Sequence, residues 1–505
     1  MHRRIRLAAL AALLSASMAA GEAAAGDISR RLLDALRDNG TITAEQHETM
    51  TRSLAEQGKS ARVEDDESDE ADEAVVRRLV EVLHGNGTLD EDAYADVLGV
   101  ARGGAAVTTA DLPAAEPPVG KERAQRDDDD RINVDIGSGG LVVESADGES
   151  SFALGGRVHV DAGWYDSDDS EIGDGSEVRR ARIELDGVIK KDWEYSAGFE
   201  FGGNELDLKS TYISYVGFDP VELSIGNFKE PFSLEEISSS NSNTFMERAS
   251  ANVLAPGRNP GAGVSAYGDH WTLAGGVFAQ GSDNENADGV DESWGATGRA
   301  TVAPINEKAR LLHLGAATSY REHDKRSEVR FRERWDSHLT DDRLVDTDVL
   351  TGVDDILRYN VEAAGVLGPF SVQGEYLAAS VDRTAGATSL YLDGWYAYAS
   401  WVLTGESRTY KSKRARMDGV KPDAPVGDGG LGAWEVGARY GVLDLSDDDV
   451  EGGRQDVLTL GLNWYVTRNV RFMANWVRVL ELDRPGTEED GDQPSVFQVR
   501  SQVNF

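Results

Sequence analysis

The sequence has no cysteine among its 505 residues. A chain without thiols cannot form a disulfide framework, a thiolate zinc site, an iron–sulfur cluster or a cysteine nucleophile. Histidine is also scarce, with 8 residues scattered along the chain. We find no G-x-S-x-G nucleophile elbow and no H-E-x-x-H zinc motif. The sequence therefore gives no support for an enzyme, and we expect no cofactor and no metal site.

Basic residues are outnumbered, and lysine is rare among them. The chain has 51 Lys and Arg residues against 90 Asp and Glu residues, a formal net charge of −39, and only 11 of the basic residues are Lys. Nucleic-acid binding depends on neutralising phosphates with basic side chains. A chain this acidic is therefore not expected to bind nucleic acid.

Long apolar runs are missing after the N-terminus, so no transmembrane helix is predicted. Residues 1–25 have the pattern of a secretory signal peptide. Arg3, Arg4 and Arg6 form a positive start, residues 7–14 form a short apolar core, and Ala23-Ala24-Ala25 offers a cleavage site. We expect the mature chain to be periplasmic, secreted or inserted in a membrane as a β-barrel.

The mature chain begins with two predicted helical hairpins in residues 26–100. Each copy places Asn-Gly, at Asn39-Gly40 and Asn86-Gly87, after an apolar helical stretch. Asn-Gly is typical of a helix end, because the residue there adopts a left-handed conformation. Two copies are too few for a solenoid. We expect them to pack on each other, to self-associate or to contact a periplasmic partner, or else to act as a spacer without specific binding. Residues 101–151 form an acidic linker that contains proline.

Residues 152–505 alternate between apolar and polar side chains, which predicts β-strands with two different faces. Trp193, Tyr195, Ala197 and Phe199 share one face, for example, and the residues between them are polar or glycine. The pattern repeats over about sixteen segments. Both a soluble sandwich and a membrane barrel give such alternation.

Three features favour the barrel. The polar face carries charges along its length, the apolar face is edged with Trp and Tyr, and short connections alternate with long charged ones at 281–292, 322–353 and 404–430. A bilayer requires every backbone group to be paired, so the strands must close on themselves. We predict an all-β fold, a transmembrane antiparallel β-barrel of about sixteen strands over 152–505, preceded by a small α-helical N-terminal region.

One long segment between the fifth and sixth predicted strands has a specific pattern. It reads G-N-F-K-E-P-F-S-L-E at 226–235, F-M-E-R at 245–248 and P-G-R-N-P-G at 256–261. This pattern resembles the phosphate-selective porin O and P family. The resemblance implies a homotrimer of sixteen-stranded barrels in the bacterial outer membrane. It also implies an inward-folded constriction loop, here 229–261, and passive passage of small anions such as phosphate or polyphosphate.

Strand parity and the family motif give the candidate pore residues. Arg157, Arg180, Arg182, Lys209 and Arg299 fall on predicted lumen faces, and Lys229, Arg248 and Arg258 match positions in the constriction loop. Arginine and lysine at these positions would replace the lost hydration of an anion. Lumen arginines also pair with carboxylates across strands. The scarcity of lysine departs from a lysine-rich anion funnel.

Two other functions remain open at this stage. The acidic excess favours a general or cation-preferring porin if it extends into the pore, and the helical hairpins favour a barrel-anchored periplasmic tether. The partners expected in each case are outer-membrane lipid and lipopolysaccharide, with small anionic solutes for the leading interpretation.

Overall fold

The computed structural model describes residues 132–505, except 138, 167–171, 205, 281–292, 324–327 and 385–386. The predicted signal peptide, the helical hairpins and most of the linker lie outside the described residues. Among the described helices, none is long and apolar enough to cross a membrane.

The described chain is almost entirely β-structure. The strands are β1 (Asn133–Gly137), β2 (Gly140–Glu144), β3 (Ser151–Asp166), β4 (Gly175–Ile189), β5 (Trp193–Glu200), β6 (Asp207–Phe218), β7 (Val221–Lys229), β8 (Arg258–Tyr267), β9 (Trp271–Ala279), β10 (Trp294–Glu307), β11 (Arg310–Glu322), β12 (Arg332–Glu333), β13 (Val345–Asp346), β14 (Val353–Leu367), β15 (Phe370–Arg383), β16 (Leu390–Val402), β17 (Tyr410–Lys411), β18 (Arg416–Met417), β19 (Ala433–Asp447), β20 (Val450–Tyr465), β21 (Val470–Asp483) and β22 (Ser495–Asn504). One short helix, α1 (Leu234–Ile237), and 3₁₀ turns at Gly202–Asn204, Ser250–Leu254 and Ser412–Arg414 complete the described elements.

Sixteen of the described strands form a closed antiparallel barrel, as the sequence predicts. They are β3 to β11, β14 to β16 and β19 to β22. The strands β12 and β13 pair only with each other, as do β17 and β18, and they are not part of the barrel wall. The barrel closes where β22 pairs with β3, from Ser495 opposite Asp166 to Asn504 opposite Arg157. The C-terminal Phe505 continues this pairing, because its carbonyl accepts the Gly156 N–H at 2.7 Å. The β1–β2 hairpin covers the remaining edge of β3 at residues 151–154.

The two faces of the wall differ as the alternation predicts. In β3, Val158, Val160 and Trp164 are exposed on the outer face, whereas Arg157 and His159 are buried on the inner face. Successive side chains of a strand point to opposite sides of the sheet. The same parity continues around the barrel, so the outer face is apolar, whereas the lumen face carries the charged residues and also buried apolar residues such as Leu392 and Val477.

The connections correct one detail of the prediction. Tight turns such as 190–192, 219–220 and 368–369 lie at one end of the barrel, which we call the turn end. The opposite end is the loop end. The long connection 403–432 follows β16 and therefore belongs to the turn end, so the expected alternation of short and long connections is wrong here.

Three connections turn into the lumen. They are the inner loop (230–257), the outer strap (328–352) and the turn-end segment (403–432). The inner loop and the outer strap form an apolar core against the lumen face of the wall, in which Phe232, Leu254 and Trp335 are fully buried. One side of the lumen is packed in this way, and the passage lies on the other side.

Candidate functional site: a cationic passage

A cavity of about 830 Å³ lies between the inner loop and the lumen face of β3 to β10. Its described lining carries twelve basic and six acidic side chains. The basic residues are Arg157, Arg179, Arg180, Arg182, Lys209, Lys229, Arg248, Arg258, Arg299, Lys413, Arg414 and Arg416, and the acidic residues are Glu177, Glu184, Asp186, Glu200, Asp207 and Glu222. The passage thus has a formal excess of six positive charges inside a chain of net charge −39.

All eight pore residues predicted from the sequence line this one cavity. They are Arg157, Arg180, Arg182, Lys209, Lys229, Arg248, Arg258 and Arg299. Six lie on wall strands, Lys229 ends β7, and Arg248 lies in the inner loop. The geometry therefore brings the candidates together, and their part in conduction remains a prediction.

A β-bulge adds a residue that strand parity misses. In the pairing of β3 with β4, His159 lies opposite Arg180 and Val160 opposite Val178, which leaves Arg179 without a partner in β3. An extra residue in one strand re-aims its side chains. Arg179 and Arg180 consequently both line the cavity. An Arg-Arg pair inside an alternating strand is the only sequence signal for this arrangement.

The two motif cations Lys229 and Arg248 share the carboxylate of Glu236. Its oxygens lie 3.3 Å from Lys229 Nζ and 3.4 Å from Arg248 Nη1. Both cations also donate to inner-loop carbonyls, among them Ser238 O. Burial alone would raise the pKa of Glu236, but Arg248 and Lys229 lower it to about 2. These cations therefore hold the loop as well as line the passage.

Two arginines of the lining have no carboxylate within 4 Å among the described residues, Arg258 and Arg416. Arg258 Nε donates to Ser210 Oγ at 3.0 Å, and Arg416 Nη1 donates to Ile237 O at 3.4 Å. Both hydrogen-bond partners are neutral, and the nearby carboxylates, Glu236 for Arg258 and Asp418 for Arg416, act on these guanidinium groups without a direct contact. A free guanidinium offers several N–H donors to an oxyanion.

Four other cations of the wall have a carboxylate partner. The pairs are Arg157 with Glu184, Arg182 with Glu200, Lys209 with Asp207, and Arg299 with Glu362. Arg157 also donates to the hydroxyl groups of Ser239 and Ser240 on the inner loop, at 3.4 and 3.1 Å. The wall side of the passage is therefore a set of guanidinium–carboxylate pairs with an excess of guanidinium.

Comparison with known proteins identifies the family. The sequence model of the phosphate-selective porin O and P family matches residues 152–505. The chain belongs to this family. Porin O of Pseudomonas aeruginosa is 33% identical over 396 residues, which cover 70% of this chain and 89% of that protein. An uncharacterized protein of Caulobacter vibrioides is 32% identical over 343 residues, covering 65% and 68%.

Solved porin structures align with most of this chain at low sequence identity and low TM-score. The anion-selective porin from Comamonas acidovorans is 15% identical, with a TM-score of 0.44 over 71% of this chain and 100% of that chain. A loop-deletion form of OmpT from Vibrio cholerae is 11% identical, with a TM-score of 0.46 over 71% and 100%.

The inner loop of this porin is held by buried ionic contacts with the wall. Glu375 accepts the backbone N–H groups of Leu234 and Glu235 at 2.9 and 2.7 Å, where α1 begins. Arg439 lies 3.3 Å from Glu235 and 2.6 Å from Asp336 of the outer strap. Breaking a buried pair is strongly destabilising, because the remaining charge stays buried. The loop is therefore fixed in the lumen.

The turn-end segment supplies three cations that the sequence reasoning missed, Lys413, Arg414 and Arg416. The segment enters the lumen because Arg408 forms a paired contact with Glu435, at 2.9 and 3.0 Å, and both side chains are buried. Strand parity applies only to strands, so it gives no signal for residues that reach the passage from a folded connection.

The outer strap reaches the passage at the loop end. His338 lines the cavity, and its Nδ1 lies 2.8 Å from Glu177 Oε1 at the start of β4. The Ser337 hydroxyl lies 2.7 Å from the Tyr165 hydroxyl, which fixes the strap against β3. The strap thus narrows the loop end of the passage.

Proposed function

We propose that this porin is a passive outer-membrane channel that favours small oxyanions, phosphate and polyphosphate among them. The observation that carries the proposal is the sign of the described lining, twelve basic against six acidic side chains in a strongly acidic chain. Glu236, Glu247 and Glu362, which are outside this lining, offset part of the excess. The name of the relative Porin O and the description of the family agree with this assignment. We infer a channel rather than an enzyme.

The passage would conduct by replacing water around the anion with guanidinium N–H donors. Arginine presents its donors in a planar fork that matches phosphate oxygens. The Arg179–Arg180 pair, Arg258 and Arg416 all line the same cavity, and an oxyanion would pass from one of them to another. Each position must bind strongly enough to admit the ion and weakly enough to release it. The concentration gradient alone drives the flow.

The remaining assignments are also proposals. We infer a homotrimer in the outer membrane, in contact with lipid and lipopolysaccharide. Residues 1–25 would be removed on export. Residues 26–100 and the part of the predicted linker that precedes β1 would lie in the periplasm, as a spacer or as a tether to a partner. The prediction of a linker over all of 101–151 is wrong for 133–144, which form a β-hairpin on the edge of β3.

The test is ion selectivity in a planar bilayer. The reversal potential is measured under a KCl gradient. Phosphate is then added to the bath, and the decrease of the chloride current is measured. Sulfate at equal ionic strength is the control for an effect of charge alone. We expect anion selectivity and a block by phosphate that exceeds the block by sulfate. Cation selectivity would instead support a general or cation-preferring porin. Equal effects of both oxyanions would exclude a preference for phosphate.

A further inference from the structure

We propose that Glu247 is a built-in counter-anion that limits how tightly a permeating oxyanion is held at Arg179 and Arg180. The inference rests on the proposed function of the passage as an oxyanion channel. It assigns to one inner-loop carboxylate the role of setting how fast a bound oxyanion is released. This carboxylate would therefore set the balance between the affinity for the oxyanion and its current through the channel.

Glu247 is shared by three guanidinium groups. Arg179 donates from Nε to Oε1 and from Nη2 to Oε2, both at 3.0 Å. Arg500 donates from Nη2 to Oε1 at 2.6 Å, and Arg180 Nη2 lies 3.7 Å from Oε2. Burial alone would raise the pKa of Glu247, but these three arginines hold it well below its usual range. The carboxylate therefore stays ionised.

Glu247 contacts two arginines of the passage without being one of the residues that line the cavity. Arg179 and Arg180 line the cavity, whereas Glu247 and Arg500 are absent from its described lining. The Nε–Nη2 edge of Arg179 faces Glu247. Its Nη1 is left for a ligand in the passage. An oxyanion can thus bind in front of the pair without displacing Glu247.

Of the three arginines, Arg180 has the longest contact with Glu247. Its Nη1 donates to His159 Nδ1 at 3.3 Å, which is a neutral partner in that hydrogen bond. Arg500 has its own carboxylate, because Asp161 accepts from it at 2.7 and 2.6 Å. Three guanidiniums thus face two carboxylates, and the local excess is one positive charge. Without Glu247 the excess would be two.

A carboxylate and a phosphate both accept hydrogen bonds from the same N–H donors of a guanidinium group. A tethered carboxylate at this position repels the arriving oxyanion and competes for the arginine charge, but it cannot leave with the ion. Conduction requires sites that are not too strong. Glu247 would therefore weaken the position at Arg179 and Arg180 to the extent that release stays fast.

The test is the Glu247→Gln variant, which keeps the size of the side chain and an oxygen acceptor for Arg179. Two quantities are measured in planar bilayers: the phosphate concentration that halves the chloride current, and the saturating current with potassium phosphate as the only salt. We expect the half-blocking concentration to fall at least fivefold and the saturating phosphate current to fall at least twofold.

Glu247→Ser tests the same charge with a different shape, and it serves if the first variant inserts poorly. Both variants must shift the affinity in the same direction. Glu307→Gln is the control for loss of a carboxylate, because Glu307 is exposed, pairs with Arg310 and lies outside the described lining of the cavity; it should not tighten the block. Unchanged or weaker phosphate block in both Glu247 variants would overturn the inference. A wild-type channel without phosphate block would instead overturn the proposed function.

Discussion

At the scale of single residues, the partners of an arginine decide what it offers to a passing anion. Arg157 and Arg182 are each next to a carboxylate, so part of their charge is already compensated. Arg258 donates to the neutral Ser210 hydroxyl, and no described carboxylate lies within 4 Å of it. We therefore expect the anion preference to depend unequally on arginines that all line the same cavity.

The first prediction concerns Arg258→Gln. This variant removes from the lining of the passage a guanidinium without a direct carboxylate contact, and one charge-assisted hydrogen bond contributes about 1.5 kcal/mol or more. We expect the half-blocking phosphate concentration to rise about tenfold, measured as block of the chloride current. Arg310→Gln is the control, because Arg310 is exposed at the turn end and pairs with Glu307. Equal behaviour of the two variants would argue against Arg258 as a binding position.

At the scale of elements, the turn-end segment is expected to be a removable part of the passage. Glu435→Gln takes the charge from the buried partner of Arg408, and an unpaired buried charge costs about 3 kcal/mol. We expect the segment to leave the lumen, with faster trypsin cleavage between 408 and 421. The KCl conductance should rise and the anion selectivity should fall, since Lys413, Arg414 and Arg416 leave with it.

The control for this variant is Glu488→Gln, which changes an exposed carboxylate at the loop end. It should leave both the cleavage rate and the selectivity at wild-type values. Faster cleavage without any change in selectivity would mean that the three segment cations do not take part in conduction.

The outer strap is expected to respond to pH through Glu333. Burial raises the pKa of this carboxyl from 4.5 to about 7. A group with a raised pKa in the folded state stabilises that state fully below its unfolded pKa, and this stability is lost as the pH rises through the folded pKa. The packing of the strap in the lumen should therefore become less stable as the pH rises from about 4.5 to about 7, because the buried carboxyl must then ionise.

Hydrogen exchange of the strap amides checks this prediction. After correction for intrinsic rates, exchange over 330–347 should be severalfold faster at pH 8 than at pH 5. Glu333→Gln keeps the side chain neutral and should remove the difference. The same pH dependence in the variant would assign the effect to another group.

The elements also mark where sequence reasoning succeeds and where it stops. Alternation with a period of two identifies the sixteen strands, because one face meets apolar surroundings and the other meets charges and water. The same parity places Arg157 and Arg299 in the lumen. It fails at Arg179, where a bulge changes the register, and at Arg416, which reaches the passage from a folded connection. It also gives no sign of the packed side of the lumen around Trp335, since those contacts join segments far apart in the chain.

At the scale of the whole molecule, a passage lined mainly by basic side chains lies in a strongly acidic chain. The described lining of the passage is positive, whereas the chain as a whole is strongly acidic. Exposed carboxylates such as Asp448, Glu451 and Glu488 lie around the loop end. An arriving anion therefore crosses a repulsive zone before it meets the arginines, which separates the rate of arrival from the strength of binding.

The exposed carboxylates should make the association rate of phosphate depend on the salt concentration. The Debye length is about 30 Å at 0.01 M and about 3 Å at 1 M, so exposed carboxylates repel anions over a long distance only at low salt. We expect the association rate of phosphate, measured from single-channel blocking events on the loop side, to fall as KCl is lowered. A triple variant with Asp448→Asn, Glu451→Gln and Glu488→Gln should lose part of this fall, while its blocking times stay unchanged because the arginines are untouched. A wild-type rate that rises at low salt would mean that the lumen cations, and not the acidic surface, control the approach of the anion.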